Sequence, residues 1–267
     1  MRVWILSSGS SGNAAIVESG STRLLVDAGI GPRVAATRMR LLGGDLFPRS
    51  VAAILVTHQH GDHIAHLEPL ARSLRAPIYL HSGITATRAR GRYEVRAYRP
   101  GVPFEVGDLR VRAETIPHDA SQVALQVSGG TVRFGLATDL GHVPPGLIDL
   151  LADCDEALVE ANHDREMLAD GPYPPQLKRR VGGDHGHLSN AQTAALAAAL
   201  AGTRIHRLWL GHLSRVNNTP ALALASVQRA APTLDVRVLL HGEPRALDIV
   251  GPRAGVSGAR QLALGFG

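Results

Sequence analysis

The stretch ILVTHQHGDHIAHL, residues 54–67, decides the fold and raises the question of function. It opens with a short apolar run that is typical of a buried strand. Three histidines and an aspartate follow within six residues: His58, His60, Asp62 and His63. Burying such groups is costly unless a partner satisfies them, and a bound cation would do so.

The spacing of these polar residues suits metal coordination. Residues two apart in an extended chain face the same side, so the rings of His58 and His60 can reach one ion. The other two come as the chain turns into a helix predicted over residues 64–74, and Gly61 is expected to allow the tight turn. Imidazole and carboxylate donors without a thiolate suit Zn²⁺, Mn²⁺ or Fe. A loop that is rich in histidine by chance is the alternative.

Composition narrows the class of protein. The 267 residues are 45% hydrophobic and 19% charged, which argues against disorder. A single cysteine, Cys154, excludes an intramolecular disulfide framework and a cysteine-rich zinc site. The net charge is +5, and of the 28 Lys and Arg residues only Lys178 is lysine. Arginine matches phosphate groups bidentately, which favours an anionic or nucleic-acid partner, although a GC-rich genome also explains the composition.

The sequence predicts no membrane segment. Its apolar stretches are shorter than the roughly 18 residues of a spanning helix, and the N-terminal run is too short for a signal peptide. We therefore expect a cytoplasmic protein without a membrane partner. The oligomeric state is left open, with a homodimer as one alternative.

Short apolar strands separated by turn signals run along the chain. Strands are predicted over residues 3–6, 14–18, 23–27, 54–56, 78–80, 109–115, 123–127, 132–137, 158–160, 205–210 and 236–240. Helices are predicted over residues 33–42, 64–74, 191–201 and 220–231. Two sheets covered by helices on their outer faces would bury these elements in layers, which is an α/β (α+β) architecture. We expect one domain over residues 1–267, with a loose tail over residues 251–267.

The motif THQHGDH resembles the signature of the metallo-β-lactamase fold superfamily. The rest of that pattern follows in order: IPHDA supplies His118, FGLATDLGH supplies Asp139 and LWLGHLS supplies His212. The resemblance extends from Ile5 to about Val250. It implies an αββα sandwich, in which two mixed β-sheets are flanked by helices and metals lie at one edge of the two sheets.

The resemblance also implies a site for two divalent metal ions, Zn²⁺ first, with Mn²⁺ or Fe as alternatives. The implied ligands are His58, His60 and His118 for one ion, Asp62, His63 and His212 for the other, and Asp139 as the bridge. Taken alone, His118 is compatible with an ordinary loop histidine, and Asp139 with a turn or cap.

Further motifs narrow the family. SSGSSGNA, EANHD, GHLSN and GHLSRVNNTP resemble the WalJ/YycJ-type branch, whose members resemble DNA exonucleases. In related tRNase Z enzymes a strand-end Glu and a later Gly-His pair form a proton relay, which maps here to Glu160 and His187. A carboxylate fixes the tautomer of its imidazole partner and raises its basicity. The alternative is that His187 merely precedes a helix capped by Ser189 or Asn190.

The implied reaction is hydrolysis of a phosphodiester in nucleic acid, with DNA preferred to RNA. Two metal ions can bridge a water and lower its pKa toward neutrality, and the resulting hydroxide attacks phosphorus. Asp62 would also orient that hydroxide, and His187 would protonate the leaving oxygen.

Substrate contacts are predicted from the loop over residues 7–13. Its backbone N–H groups and small side chains, including Ser10 and Asn13, suit a phosphate, although a plain β-turn explains the loop equally well. His163 is expected at the rim.

Two other functions compete. One is a β-lactam or thioester hydrolase, of the β-lactamase or glyoxalase II type. A secreted β-lactamase would need a signal peptide, and a glyoxalase II would need a C-terminal helical region. The other is a non-catalytic metal- or DNA-binding module, which has no reason to keep seven ligands together with Glu160 and His187.

Overall fold

The computed structural model describes residues 1–84 and 91–251. Its strands are β1 (Arg2–Ser7), β2 (Ala14–Ser19), β3 (Thr22–Val26), β4 (Ala53–Val56), β5 (Ile78–His81), β6 (Val95–Tyr98), β7 (Phe104–Val106), β8 (Leu109–Ile116), β9 (Gln122–Gly129), β10 (Val132–Ala137), β11 (Glu156–Glu160), β12 (Arg207–Gly211), β13 (Asp235–Val238) and β14 (Arg245–Asp248). Its helices are α1 (Pro32–Leu41), α2 (Gly61–Ile64), α3 (Leu67–Leu74), α4 (Pro145–Ala152), α5 (Arg165–Asp170), α6 (Pro175–Val181), α7 (Asn190–Leu200) and α8 (Pro220–Ala230).

The described strands form two mixed sheets. One has the order β14-β1-β2-β3-β4-β5-β6 and the other β13-β12-β11-β10-β9-β8-β7. In the first, β14 and β1–β3 pair antiparallel, and β3–β6 pair parallel. In the second, β7–β10 pair antiparallel and β10–β13 parallel.

Among the described residues, three apolar clusters hold four layers together. The first lies between the sheets and contains residues from both, such as Val26 and Val127. The second packs the β13–β7 sheet against α4, α7 and α8, and the third packs the other sheet against α1 and α3. Strand β4 is buried on both faces, because Leu55 joins the inter-sheet cluster and Ile54 the helix-side cluster. The predicted αββα sandwich is therefore confirmed.

Parallel strands bring their carboxyl ends to one edge of each sheet, and polar residues follow those ends. Asp27 comes after β3 and Asp139 and His212 follow closely after β10 and β12. All three adopt the left-handed backbone region, with φ of 62°, 61° and 54°. Non-glycine residues are uncommon in that region, and such strain persists where surrounding structure enforces it, often at functional sites.

Some predicted details differ. The helix predicted over residues 64–74 is two helices, α2 and α3, because the His66 N–H donates to Ala28 O (2.9 Å) outside the helix. The role predicted for Gly61 is wrong, since its φ is not positive and a Cβ there would meet nothing within 4 Å.

Within residues 1–84 and 91–251, six elements were not predicted from the sequence, namely β6, β7, β14, α4, α5 and α6. The loose tail was expected over residues 251–267, and residues 252–267 lie outside the described part of the chain. None of the described helices has the length and apolar character to cross a membrane.

Candidate metal centre

The first group of donors consists of His58, His60 and His118, whose ligand atoms lie within 4.8 Å of one another. The His118 Nε2 and His60 Nδ1 atoms are 3.2 Å apart. Burial lowers the pKa of His58 to about 2, with the neighbouring His63 adding to the effect. Its ring is therefore neutral and offers a lone pair, and its buried Nε2 has no hydrogen-bond partner among the described residues.

The second group consists of Asp62, His63, Asp139 and His212, again with donor atoms within 4.8 Å. Asp139 lies between two rings, with Oδ2 3.1 Å from His63 Nε2 and Oδ1 3.5 Å from His212 Nε2. Asp139 Oδ2 and His212 Nε2 are buried and make no hydrogen bond within the described chain. Buried polar atoms of this kind call for an explanation, and a bound ion is one.

The charges in the second group favour a cation. Burial lowers the pKa of His63, but the carboxylates of Asp27 and Asp139 outweigh it and raise the pKa to about 10. The pKa of His212 is shifted in the same direction. Burial lowers it, but Asp139 and neighbouring carboxylates outweigh burial and hold the pKa of His212 well above its usual value. Positive charge at this position is therefore stabilised by the carboxylates, and either protons or a divalent cation can supply it.

Three of the rings are oriented by a hydrogen bond on the side away from the donor groups. In each, Nδ1 donates to an oxygen acceptor and Nε2 points into the cluster, as metal-binding histidines do. The pairs are His63 with Asp27 (2.7 Å), His212 with Glu160 (2.7 Å) and His118 with the carbonyl of Gly186 (3.1 Å).

Asp27 was not singled out from the sequence. Thr57 fixes its carboxylate, because the Thr57 N–H and hydroxyl donate to it at 2.8 Å and 2.9–3.0 Å. The position of Asp27 at the end of a predicted strand is the one available signal. Its partner His63 lies 36 residues further along the chain, so no local pattern links the two.

Glu160 connects two histidines. Its Oε1 accepts from Nδ1 of His187 (2.8 Å) as well as from His212, and its Oε2 accepts from the N–H groups of Leu140 and Leu188. Burial favours the neutral acid, but His187 and His212 outweigh it and lower the pKa of Glu160 to about 2. The same contacts raise the pKa of His187 against the effect of burial. The alternative in which His187 only precedes a helix does not account for this pair.

Of the three residues predicted to touch substrate, one lines the cavity beside the donor groups and two are buried. Ser10 lines the cavity beside the donor groups. Asn13 is buried, and its Nδ2 lies 3.2 Å from Asp62 Oδ2 and 2.8 Å from His63 Nε2. His163 is 3% exposed and does not line that cavity, and burial lowers its pKa to about 4.

The donor groups open into a cavity of about 390 Å³. Its lining combines donor residues and His187 with side chains from α6 and from the segment before that helix. The lining residues are Ser10, His60, Gly61, Asp62, Asp139, Asn162, Tyr173, Leu177, Arg180, Val181, His187, His212, Leu213 and Ser214.

The donor set fits divalent metal ions. It consists of imidazole nitrogens and carboxylate oxygens, which suit zinc and related metals. The lone cysteine lies elsewhere, in the cluster packed against α4, where burial raises its pKa to about 12. The unpartnered atoms of His58, Asp139 and His212 are the observation that supports the fit.

Comparison with known proteins identifies the family. The model of the "Beta-lactamase superfamily domain" matches residues 22–213. The chain belongs to the β-lactamase superfamily. It is 33% identical over 227 residues to exodeoxyribonuclease WalJ of Streptococcus pneumoniae. The aligned region covers 82% of this chain and 84% of the relative. The chain is likewise 33% identical over 236 residues to exodeoxyribonuclease YycJ of Bacillus anthracis, covering 84% and 87%.

The predicted membership of the WalJ/YycJ-type branch is thereby confirmed. Among solved structures, the metallo-β-lactamase fold protein YhfI of Bacillus subtilis superimposes with a TM-score of 0.70 at 17% identity, over 92% of this chain and 99% of that one. This likeness supports the fold.

Proposed function

We propose that this superfamily member is a divalent-metal-dependent phosphodiesterase that shortens DNA as an exonuclease. One observation carries the proposal: donor atoms of the seven candidate ligands gather in two adjoining groups at the sheet edge. The substrate class is supported by the relatives, since WalJ and YycJ are both named exodeoxyribonucleases. The net charge is +5, and all but one of the basic residues are arginine, which suits a polyanion.

We propose the following ligands: His58, His60 and His118 for one ion, Asp62, His63 and His212 for the second, and Asp139 between them. Zn²⁺ is the ion we favour, with Mn²⁺ or Fe as alternatives, because the donors are nitrogen and oxygen. When bound, such ions lower the pKa of a water toward neutrality and offset charge on phosphoryl oxygens. The ligands come from both sheets, so we infer one catalytic domain rather than two.

Glu160 and His187 supply the proton chemistry in this proposal. The acceptor sites of Glu160 are taken up by two rings and two backbone N–H groups, so it orients His187 and His212 rather than joining the ligands. Burial opposes the charge on His187, but the Glu160 carboxylate outweighs it and raises its pKa, which favours the protonated ring. From the cavity wall, the imidazolium can protonate the oxygen that leaves phosphorus as the P–O bond breaks.

The other polar residues of the cavity position the reactants. Asp62 lines the cavity, and Asn13 Nδ2 donates to its Oδ2 (3.2 Å), which leaves Oδ1 available to orient the attacking water. We assign Ser10 to the phosphate and Asn13 to holding Asp62. His163 has too little exposed surface for us to retain it as a contact.

A metal-by-substrate screen tests the function. Purified protein loaded with Zn²⁺ or Mn²⁺ is offered single- and double-stranded DNA, RNA, bis-p-nitrophenyl phosphate, nitrocefin and a glutathione thioester. We expect nucleotide release from DNA, with slower hydrolysis of the small phosphodiester. Efficient lactam or thioester hydrolysis without any phosphodiester cleavage would assign the protein to the alternative hydrolases. Metal binding without turnover would assign it to a binding module.

A further inference from the structure

The cavity has an apolar side that the hydrolytic chemistry does not use. This apolar side consists of Tyr173, Leu177 and Val181, and Arg180, which precedes Val181 in helix α6, lines the cavity with them. Donor residues and His187 also line the cavity. Hydrolysis of a phosphodiester requires the polar residues only. The apolar side therefore suits a part of the substrate that carries no charge.

This apolar side is fixed to the metal centre. The His187 N–H donates to the carbonyl of Val181 at the end of α6 (2.8 Å). Arg180 Nε donates to Asp119 Oδ2 (2.7 Å), and Asp119 Oδ1 lies 3.2 Å from His60 Nε2. These contacts link helix α6 to the donor groups, and a binding surface for an oriented substrate requires such a link.

We propose that Tyr173, which lines the cavity together with Leu177, stacks on the base of the terminal nucleotide of a DNA strand. This inference rests on the proposed function. Aromatic side chains stack on any base, so the contact holds a strand end without reading its sequence. The neighbouring Arg180 supplies a planar donor group that matches phosphate.

The size of the cavity specifies the substrate further. Its volume of about 390 Å³ lies at the lower end of ligand pockets, which span roughly 300–1,000 Å³. Such a space suits one nucleotide rather than a base pair.

A binding experiment with strands that resist cleavage tests the stacking contact. Single strands with phosphorothioate linkages carry a fluorophore at one end and either a normal or an abasic nucleotide at the other, in both polarities. Dissociation constants are measured by anisotropy for the metal-loaded wild type and for Tyr173→Phe, Tyr173→Ala and Tyr173→Leu. Phe47→Ala is the matched control, because Phe47 is an aromatic residue, 57% exposed, that does not line the cavity.

We expect the wild type, Tyr173→Phe and Phe47→Ala to bind the abasic strand about 10–100-fold more weakly at one polarity. Tyr173→Ala and Tyr173→Leu should bind both strands with the same weakened affinity. Equal binding of both strands by the wild type, or full discrimination by the folded Tyr173→Ala protein, would overturn the inference. An abasic nucleotide inside the strand should have no effect, and an equal loss there would overturn the assignment to the strand end.

The proposed function is tested in a separate assay, which measures cleavage of unmodified DNA. Cleavage without base discrimination overturns the stacking contact alone. Discrimination without cleavage supports that contact and contradicts the phosphodiesterase.

Discussion

Replacing Asp27 by Asn should weaken one metal site and spare the other. The substitution keeps the size of the side chain but removes the charge that faces His63 Nδ1 at 2.7 Å in a fully buried setting. Without the carboxylate, the ring is less basic and its orientation is less fixed. Losing such a partner typically lowers metal affinity by about 10–100-fold, which corresponds to about 1.4–2.7 kcal/mol.

Competition with a fluorescent chelator measures this effect site by site. The wild type should bind two ions. In Asp27→Asn, the site that contains His58 should keep its metal affinity, and the site that contains His63 should bind metal more weakly. Activity of the variant should recover as free metal is raised. The control is Asp149→Asn, which removes an exposed carboxylate on α4. Unchanged affinities, or equal weakening of both, would refute the role assigned to Asp27.

Three further predictions concern catalysis, reactivity and packing. His187→Ala should leave both ions bound and slow DNA cleavage by about 10²–10⁴-fold, and emptied metal sites would contradict its role as the acid. Burial raises the pKa of Cys154 to about 12, so about one thiol in 10⁴ is ionised at pH 8. An alkylating reagent should therefore modify Cys154 in unfolded protein and spare it in folded protein, and fast modification of the native state would show that the thiol is accessible. Gly29→Ala should lower the free energy of unfolding in urea by about 1–3 kcal/mol or more, because its Cβ would lie 1.8 Å from Asp62 O. Gly61→Ala, whose Cβ meets nothing, should not, and equal stability of both variants would contradict the close approach.

The sequence predicted the elements whose residues carry their own pattern. Strand β8 alternates buried and exposed residues, and β4 is a continuous apolar run, so periodicity identifies both. Strand β14, with the sequence RALD, has one buried residue in four and is fixed by pairing with β1 at the other end of the chain. Its partner is more than 200 residues away, so local sequence holds little trace of it.

The candidate ligands could be predicted because they follow strands in a recognisable order, whereas the residues that orient their side chains depend on tertiary contacts. Glu160 was assigned one partner from the sequence, His187, but it also holds His212, which is 52 residues away. The break at His66 has the same origin, since its N–H bonds to Ala28 in another loop. Periodicity records which face of an element is buried, but not which distant group competes for a hydrogen bond.

Metal titration of DNA cleavage tests the central claim most directly. Protein treated with a chelator is given increasing Zn²⁺ or Mn²⁺, and nucleotide release from DNA is followed beside bound metal. We expect no release without metal, a rise that ends near two ions per chain, and no release by Asp139→Ala at any metal concentration tested. Release by the metal-free protein, or two bound ions with no release from any DNA, would contradict that claim.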